Sequence, residues 1–125
     1  MSGVTLDAGA LIAVDRNDRR VIALLVRAHE LGARVTIPAT ALAQAVRNPA
    51  KQARLSRLLR QPTTRLAALD GLDATQVGIL LATSRTTDIT DAHVVICARR
   101  RSEPIVTSDP RDLSRLDGAA RLIVV

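Results

Sequence analysis

Five short runs of aliphatic and β-branched residues recur along this chain, and longer segments with apolar residues at helical spacing separate them. The runs predict strands at residues 4–6, 34–37, 64–67, 104–107 and 122–125. The segments between them predict helices at residues 18–31, 39–47, 50–60, about 73–83 and about 90–101. Strands that alternate with helices favour a mostly parallel central sheet of four or five strands with helices on both faces. We therefore expect an α/β fold.

Residues that can cap helices accompany these segments. Asp73 can cap the helix that starts at Ala74, and either Thr90 or Asp91 can cap the next helix. Gly32 follows the first helical segment and predicts its end, because glycine readily adopts the left-handed conformation found after helices.

The length and composition fit one domain spanning residues 1–125. Hydrophobic residues make up 47% of the 125 residues, which is enough for one continuous core. Phe, Tyr and Trp are absent, so any nucleic acid would be bound through charge and shape, without stacking of bases on aromatic rings. The net charge of +6 suits a polyanionic partner, but a soluble surface rich in arginine explains it equally well.

Neither a disulfide framework nor a membrane segment is expected. Cys97 is the only cysteine and lies in an apolar run, which predicts a small buried side chain and fits a reducing cytoplasm. Residues 1–7 lack the features of a signal peptide, and no apolar run approaches the length that crosses a membrane. We expect a soluble cytoplasmic protein without a membrane partner.

Aspartates stand near the carboxyl ends of the predicted strands. Asp7 ends the first strand, Asp109 follows the fourth, and Asp91 opens the helix that precedes the fourth. Asp88 and Asp112 lie within one helical turn of Asp91 and Asp109. Because ligands of parallel sheets bind beyond the carboxyl ends of the strands, these carboxylates should share one small volume. Clustered carboxylates repel one another, so the pattern predicts a divalent cation such as Mg²⁺ between them.

Each aspartate also has an ordinary structural interpretation. Asp91 can cap a helix, Asp109 can form a turn with Pro110, and Asp7 can form a turn ahead of Gly9. The shared sheet edge nevertheless favours a metal site. A cation held by carboxylates can activate water at a phosphate, which predicts phosphodiester hydrolysis. The sequence contains neither a P-loop nor a dinucleotide-binding glycine motif, which argues against an enzyme of nucleoside triphosphates.

A basic segment with the sequence RNPAKQAR carries further candidates. Arg47, Lys51 and Arg54, together with Arg57 and Arg60, would place several cations along one helical face. Such a face can bind the backbone of RNA or an acidic protein partner. The alternative is an ordinary solvated surface, and the sequence leaves both interpretations open.

The order and spacing of three motifs resemble those of a known protein family. The motifs are residues 4–13 (VTLDAGALIA), 87–93 (TDITDAH) and 106–113 (VTSDPRDL). Together they resemble the PIN-domain family, specifically the VapC-like toxins of bacterial toxin–antitoxin pairs. The likeness covers almost the whole chain. It implies a PIN-like three-layer sandwich and an endoribonuclease that depends on Mg²⁺ or Mn²⁺, acts as a toxin on RNA, and is restrained by an antitoxin.

Carried over to these motifs, the resemblance implies that Asp7, Asp91 and Asp109 bind the metal, with Asp112 as an auxiliary acid. The chain departs from the pattern after the second strand, in PATALAQ, where Gln44 stands in place of the usual glutamate. Gln44 offers a neutral carbonyl oxygen to a ligand or water but cannot act as a general base. Asp88 can compensate for the missing charge.

Two other functions stay open. Because of Gln44, the chain can be a catalytically weakened PIN-like module that binds RNA or a protein without turnover. A phosphoacceptor domain of the response-regulator kind has less support, since the only lysine, Lys51, lies in the basic segment. His93 is interpreted as a structural residue, and the resemblance together with apolar helix surfaces suggests a homodimer.

Overall fold

A computed structural model describes residues 3–125. At the centre of the fold is one five-stranded sheet. The strands are β1 (Gly3–Leu6), β2 (Arg34–Pro38), β3 (Thr64–Ala67), β4 (Ile105–Thr107) and β5 (Leu122–Val124). Their order in the sheet is β3-β2-β1-β4-β5, and all four neighbouring pairs are parallel. The prediction of an α/β fold with a parallel central sheet is therefore confirmed.

Seven α-helices connect the strands of the described residues. They are α1 (Ala8–Asp15), α2 (Arg19–Glu30), α3 (Ala39–Ala45), α4 (Ala53–Leu59), α5 (Gly71–Ser84), α6 (Ile89–Arg101) and α7 (Pro110–Leu116). Sequence patterns missed α1 and α7. Both are short, and α1 has no polar face, because its apolar residues pack inside the protein without showing helical periodicity.

The helix caps differ from the sequence prediction. Asp70 caps α5 by accepting a hydrogen bond from the Asp73 amide at 2.8 Å, so Asp73 is not the cap. Asp88 caps α6 by accepting from the Asp91 amide at 3.0 Å. The Asp91 carboxylate thus has no capping role and stands in the first turn of α6. Gly32, with a φ of 65°, follows the end of α2 as predicted.

The core is aliphatic and covers both faces of the central strands. All four residues of β1 and all three of β4 are buried, and successive side chains of a strand point to opposite faces. The largest fully buried side chains include Leu6, Leu11, Ile37, Leu55, Ile105 and Leu113. Cys97 is buried and unpaired, as expected. No helix within residues 3–125 has the length and apolar character needed to cross a membrane.

The basic segment does not form one helical face. α3 ends at Ala45, and a 3-10 turn at Pro49–Lys51 separates it from α4. Buried Gln52 fixes this break, because its carbonyl oxygen accepts from the Arg47 amide at 2.9 Å and its amide donates to the Ala45 carbonyl at 3.0 Å. Arg47 consequently lies in the loop after α3, Lys51 in the 3-10 turn and Arg54 on α4.

Candidate functional site

The sheet topology brings three chain segments to one edge. β1 and β4 are neighbouring parallel strands, so Asp7 and Asp109, which follow them, leave the sheet side by side. The Asp7 amide continues the ladder by donating to the Val106 carbonyl at 3.2 Å. A short connection joins the end of α6 to the start of β4, so the first turn of α6, with Asp91, returns to the same edge.

Asp7 is a buried carboxylate, 5% exposed, at the start of α1. Its Oδ1 atom accepts a hydrogen bond from the Ala10 amide at 2.8 Å and caps the helix. Burial raises the pKa of Asp7; hydrogen bonds from Thr107 and Ala10 partly oppose this rise, and the charge of Asp109 adds to it. Within residues 3–125 no Lys or Arg forms an ion pair with Asp7. Its charge therefore has no cationic partner in the described chain.

Asp91 faces Asp7 from the helix side. Burial and then the charges of Asp88, Asp7 and Asp112 raise the pKa of Asp91 from 3.8 to about 7. Three other carboxylates are thus close enough to disfavour its ionisation. A cation between them would remove this repulsion and restore the charged form.

Gly9 allows α1 to approach the end of β4. A Cβ atom at Gly9 would lie 2.5 Å from the Ser108 hydroxyl and 3.5 Å from Asp7 Oδ1. Any larger residue would therefore force the Ser108 side chain to move, whereas the distance to Asp7 Oδ1 is an ordinary van der Waals contact. Gly9 and Ser108 were not predicted as site residues, although a glycine in the first turn of a buried helix is a signal for such a close approach.

The donor set suits a hard divalent cation, because it consists of carboxylate oxygens, and within residues 3–125 Asp7, Asp91 and Asp109 form no ion pair with Lys or Arg. Among residues 3–125, however, no three His, Cys, Asp or Glu side chains lie close enough together to hold a metal ion. Mg²⁺ commonly binds one or two carboxylates and keeps several waters. The arrangement fits such a hydrated ion and does not form the cage of three aspartates expected from the sequence.

Part of the acidic set lines a cleft of about 300 Å³ beside α6 and α7. The lining residues are Arg85, Thr86, Thr87, Asp88, Asp91, Asp112, Arg115 and Leu116. Asp88, Asp91 and Asp112 therefore line one cleft, whereas Asp7 and Asp109 stand outside it. We call it the acidic cleft.

The other predicted site residues lie elsewhere. Gln44 is exposed on α3, and no hydrogen bond of the described residues joins its side chain to an aspartate. Arg47 donates to the Val46 carbonyl at 2.7 Å, and Arg54 to the Asp15 carbonyl at 3.3 Å. Lys51 is exposed in the 3-10 turn. None of these residues lines the acidic cleft.

An open groove of about 370 Å³ lies between α2 and α4, and no aspartate lines it. Ile22, Leu25 and Val26 of α2 form part of an apolar wall, and Arg54 and Arg57 of α4 also line the groove. Its mixture of apolar surface and cationic groups differs from the acidic cleft. We call it the α2–α4 groove.

His93 joins two helices inside the protein. It is fully buried, and its Nδ1 atom lies 2.7 Å from the Thr40 hydroxyl of α3. Burial lowers the pKa of His93, which favours the neutral ring. The contact ties α6 to α3 near the site.

The fold is similar to that of several solved structures, although no protein-family model and no curated protein matches the chain. One match is a chain of VapBC2 from Rickettsia felis, whose structure was solved with a DNA fragment from the VapBC2 promoter. Its TM-score is 0.69, with 13% identity over 98% of both chains. A chain of FitAcB from Neisseria gonorrhoeae matches with a TM-score of 0.68 and 18% identity over 96% of both. FitAB bound to an IR36 DNA fragment matches with a TM-score of 0.70 and 16% identity, over 97% of this chain and 94% of that chain.

These matches correct the resemblance drawn from the motifs. The motifs pointed to the VapC-like toxins of the PIN-domain family, yet no model of any family matches this chain. The structural matches are to chains of the VapBC2 and FitAB complexes, two of them with DNA, at 13% to 18% identity. Identity this low shows a shared fold and does not assign the chain to the toxin side of a complex. The assignment to VapC-like toxins, with the PIN-like details that came from it, therefore does not stand.

Proposed function

We propose that this protein is a metal-dependent phosphodiesterase that hydrolyses RNA and that it acts as the nuclease of a toxin–antitoxin pair in the cytoplasm. The observation that carries the proposal is the unbalanced negative charge at the carboxyl edge of the sheet. Asp7 is buried beside Asp109 without a cationic partner in the described chain, and the pKa of Asp91 is about 7. Carboxylates in such surroundings ionise together only when a cation joins them.

The aspartates at this edge would have different roles in binding Mg²⁺ or Mn²⁺. Asp7 would bind it from the strand side and Asp91 from the helix side, while Asp109, Asp88 and Asp112 would orient waters around it. When bound, the cation supplies neutralisation of charge on the scissile phosphate and activation of water. Hydrolysis adds one water across a P–O bond, which breaks to give a phosphate monoester and a free hydroxyl group.

A protein partner is the second part of the proposal. The α2–α4 groove offers apolar side chains beside Arg54 and Arg57, which fits an amphipathic segment with acidic residues. The likeness to chains from the VapBC2 and FitAB complexes supports a protein partner, without indicating its chemistry. The groove is separate from the acidic cleft, so a bound partner would restrain the enzyme by reaching from one to the other.

A binding module without turnover is the alternative function, and two observations favour it. Gln44 is neutral and exposed, and no three ligating side chains of residues 3–125 converge. Such a module would bind RNA or a protein without needing a cation.

An RNA cleavage assay with and without Mn²⁺ separates the two functions. We expect the wild type to cleave single-stranded RNA only with Mn²⁺, and Asp7→Asn to lose about a hundredfold or more in rate. Asp18→Asn is the matched control, because Asp18 caps α2 through its Oδ1 atom as Asp7 caps α1, and Asn retains the cap. Full activity in Asp7→Asn would contradict the proposal. RNA binding that needs no metal, without cleavage, would favour the module.

A further inference from the structure

The acidic cleft contains guanidinium groups as well as carboxylates. Arg85 ends α5, Arg115 lies on α7, and both line the cleft with Asp88, Asp91 and Asp112. A cleft that served only to hold a cation would be expected to lack positive side chains. The mixed lining instead suits a ligand that needs both a cation and direct contacts to its own negative charge.

The two arginines do not neutralise the neighbouring aspartates. In residues 3–125 neither Arg85 nor Arg115 forms an ion pair, although three aspartates line the same cleft. Elsewhere in the described residues four arginines, Arg27, Arg34, Arg99 and Arg100, form ion pairs with acids, as with Arg99 and Asp117 at 3.0 Å. Guanidinium groups that remain unpaired beside carboxylates are available to an anionic ligand.

The backbone at Arg85 adds a second observation. Arg85 ends α5 with φ 57° and ψ 41°, a left-handed conformation that glycine adopts most easily. α2 has Gly32 in this conformation after its last turn. Ser102 ends α6 in the same way, so the backbone alone defines no site. Arg85, unlike Gly32 and Ser102, combines this backbone conformation with a position in the lining of the acidic cleft.

We infer that Arg85 and Arg115 bind a backbone phosphate of the RNA strand next to the phosphate that is cleaved. The inference rests on the proposed function and adds residues that position its substrate. Because the chain has no Phe, Tyr or Trp, bases of a single strand cannot stack on those rings, which increases the importance of phosphate contacts for affinity. The Thr86 hydroxyl, 2.9 Å from the Ser84 hydroxyl, adds a polar group beside Arg85.

Fluorescence anisotropy with a labelled single-stranded RNA tests the inference, with Ca²⁺ replacing Mn²⁺ and the RNA checked for cleavage on a gel. Arg85→Gly is the main variant, because glycine suits the left-handed backbone and should leave the unfolding temperature unchanged or higher. We expect its RNA Kd to weaken by about five- to tenfold. The slope of log affinity against log salt should fall by about 0.7, the value for one phosphate contact to a single strand.

Arg115→Gln should weaken binding in the same way, and Arg20→Gln is the matched control. Arg20 is an exposed arginine of α2 outside the cleft, so its loss should leave the Kd and the salt slope near those of the wild type. A wild type that binds and cleaves RNA, with Arg85→Gly and Arg115→Gln indistinguishable from it, overturns this inference alone. A wild type that neither binds nor cleaves RNA overturns the proposed function together with it.

Discussion

Asp7 and Glu103 are buried acids at opposite edges of one sheet, and their surroundings differ. Glu103, 4% exposed, precedes β4 at the amino edge and accepts a hydrogen bond from the Thr5 hydroxyl at 2.9 Å. Its other oxygen lies 3.4 Å from Arg34 Nε in an ion pair. Asp7, 5% exposed, lies at the carboxyl edge, where its nearest charged neighbours include Asp109 and its pKa is raised.

The difference indicates that the carboxyl edge of the sheet is better suited to bind a ligand than the amino edge. A buried charge normally needs a counter-charge and hydrogen bonds from the protein, and Glu103 has both. At the carboxyl edge the fold instead gathers acids that repel one another, which lowers its stability, and the cation that we propose would relieve this repulsion. Groups kept in such an unfavourable state are typical of binding and catalytic sites.

The largest expected effect concerns the role of Glu103 in stability. Glu103→Ala should lower the free energy of unfolding by about 2–3 kcal/mol, because Arg34 and the Thr5 hydroxyl lose their partner. Asp7→Asn should change it by less than about 1 kcal/mol, since losing the repulsion offsets weaker capping. Urea unfolding of both variants measures the contrast. Equal losses would mean that the two acids have the same structural role.

The next effect is a pH dependence caused by Asp91. Its folded-state pKa is about 7 against an ordinary value of 3.8, so the folded protein binds more protons than the unfolded chain between these values. Without divalent cations, stability from this group should fall as pH rises from about 4 to about 7 and stay constant above. Asp91→Asn should remove this slope and add about 1–2 kcal/mol at pH 8, a value reduced for its partial exposure. An unchanged slope in Asp91→Asn would contradict the assignment.

Metal affinity should follow the same ionisation. Because the cation competes with the proton on Asp91, Mn²⁺ binding should weaken by up to about tenfold for each pH unit below 7. Asp88→Asn should move this dependence to lower pH, since the Asp88 charge raises the pKa of Asp91 and Asn still caps α6. Calorimetric titrations between about pH 6 and about pH 8 test both statements. Affinity independent of pH would count against Asp91 as a ligand.

The smallest effect is expected at Gln44. Gln44→Glu should change the Mn²⁺ affinity and the cleavage rate by less than about threefold, because the side chain is exposed and solvent screens its charge from the aspartates. Steady-state cleavage kinetics measure the change. A large gain in rate would show that Gln44 approaches the metal when RNA is bound.

Local patterns were enough to predict the sheet. The five strands coincide with short runs of aliphatic and β-branched residues, although only β1 and β4 are buried throughout, and the edge strands β3 and β5 are partly exposed. α1 was missed because it has no polar side to reveal its period, and α5 begins earlier than predicted because Asp70 caps it in place of Asp73. Each of these predictions failed because contacts with the surrounding structure, and not the local sequence pattern, determine where the helix forms and begins.

The site was predicted in outline from strand ends. Asp7, Asp91 and Asp109 all lie at the carboxyl edge, but no three ligating side chains of residues 3–125 converge. The sequence could not tell how closely the carboxylates approach one another, since that depends on side-chain packing. The ion pair between Arg34 and Glu103 could not be predicted from local sequence either, because the two residues are 69 positions apart. The position of Arg85 in the acidic cleft could not be predicted either, because no sequence pattern indicates an arginine with a left-handed backbone conformation.

A calorimetric titration with Mn²⁺ tests the central claim that the carboxyl edge holds a divalent cation. The wild type should bind Mn²⁺, Glu103→Gln should bind it equally well, and the double variant Asp7→Asn/Asp91→Asn should bind at least about a hundredfold more weakly. Glu103→Gln is the control because it changes a buried acid at the opposite edge. Equal binding by the wild type and the double variant would contradict the account.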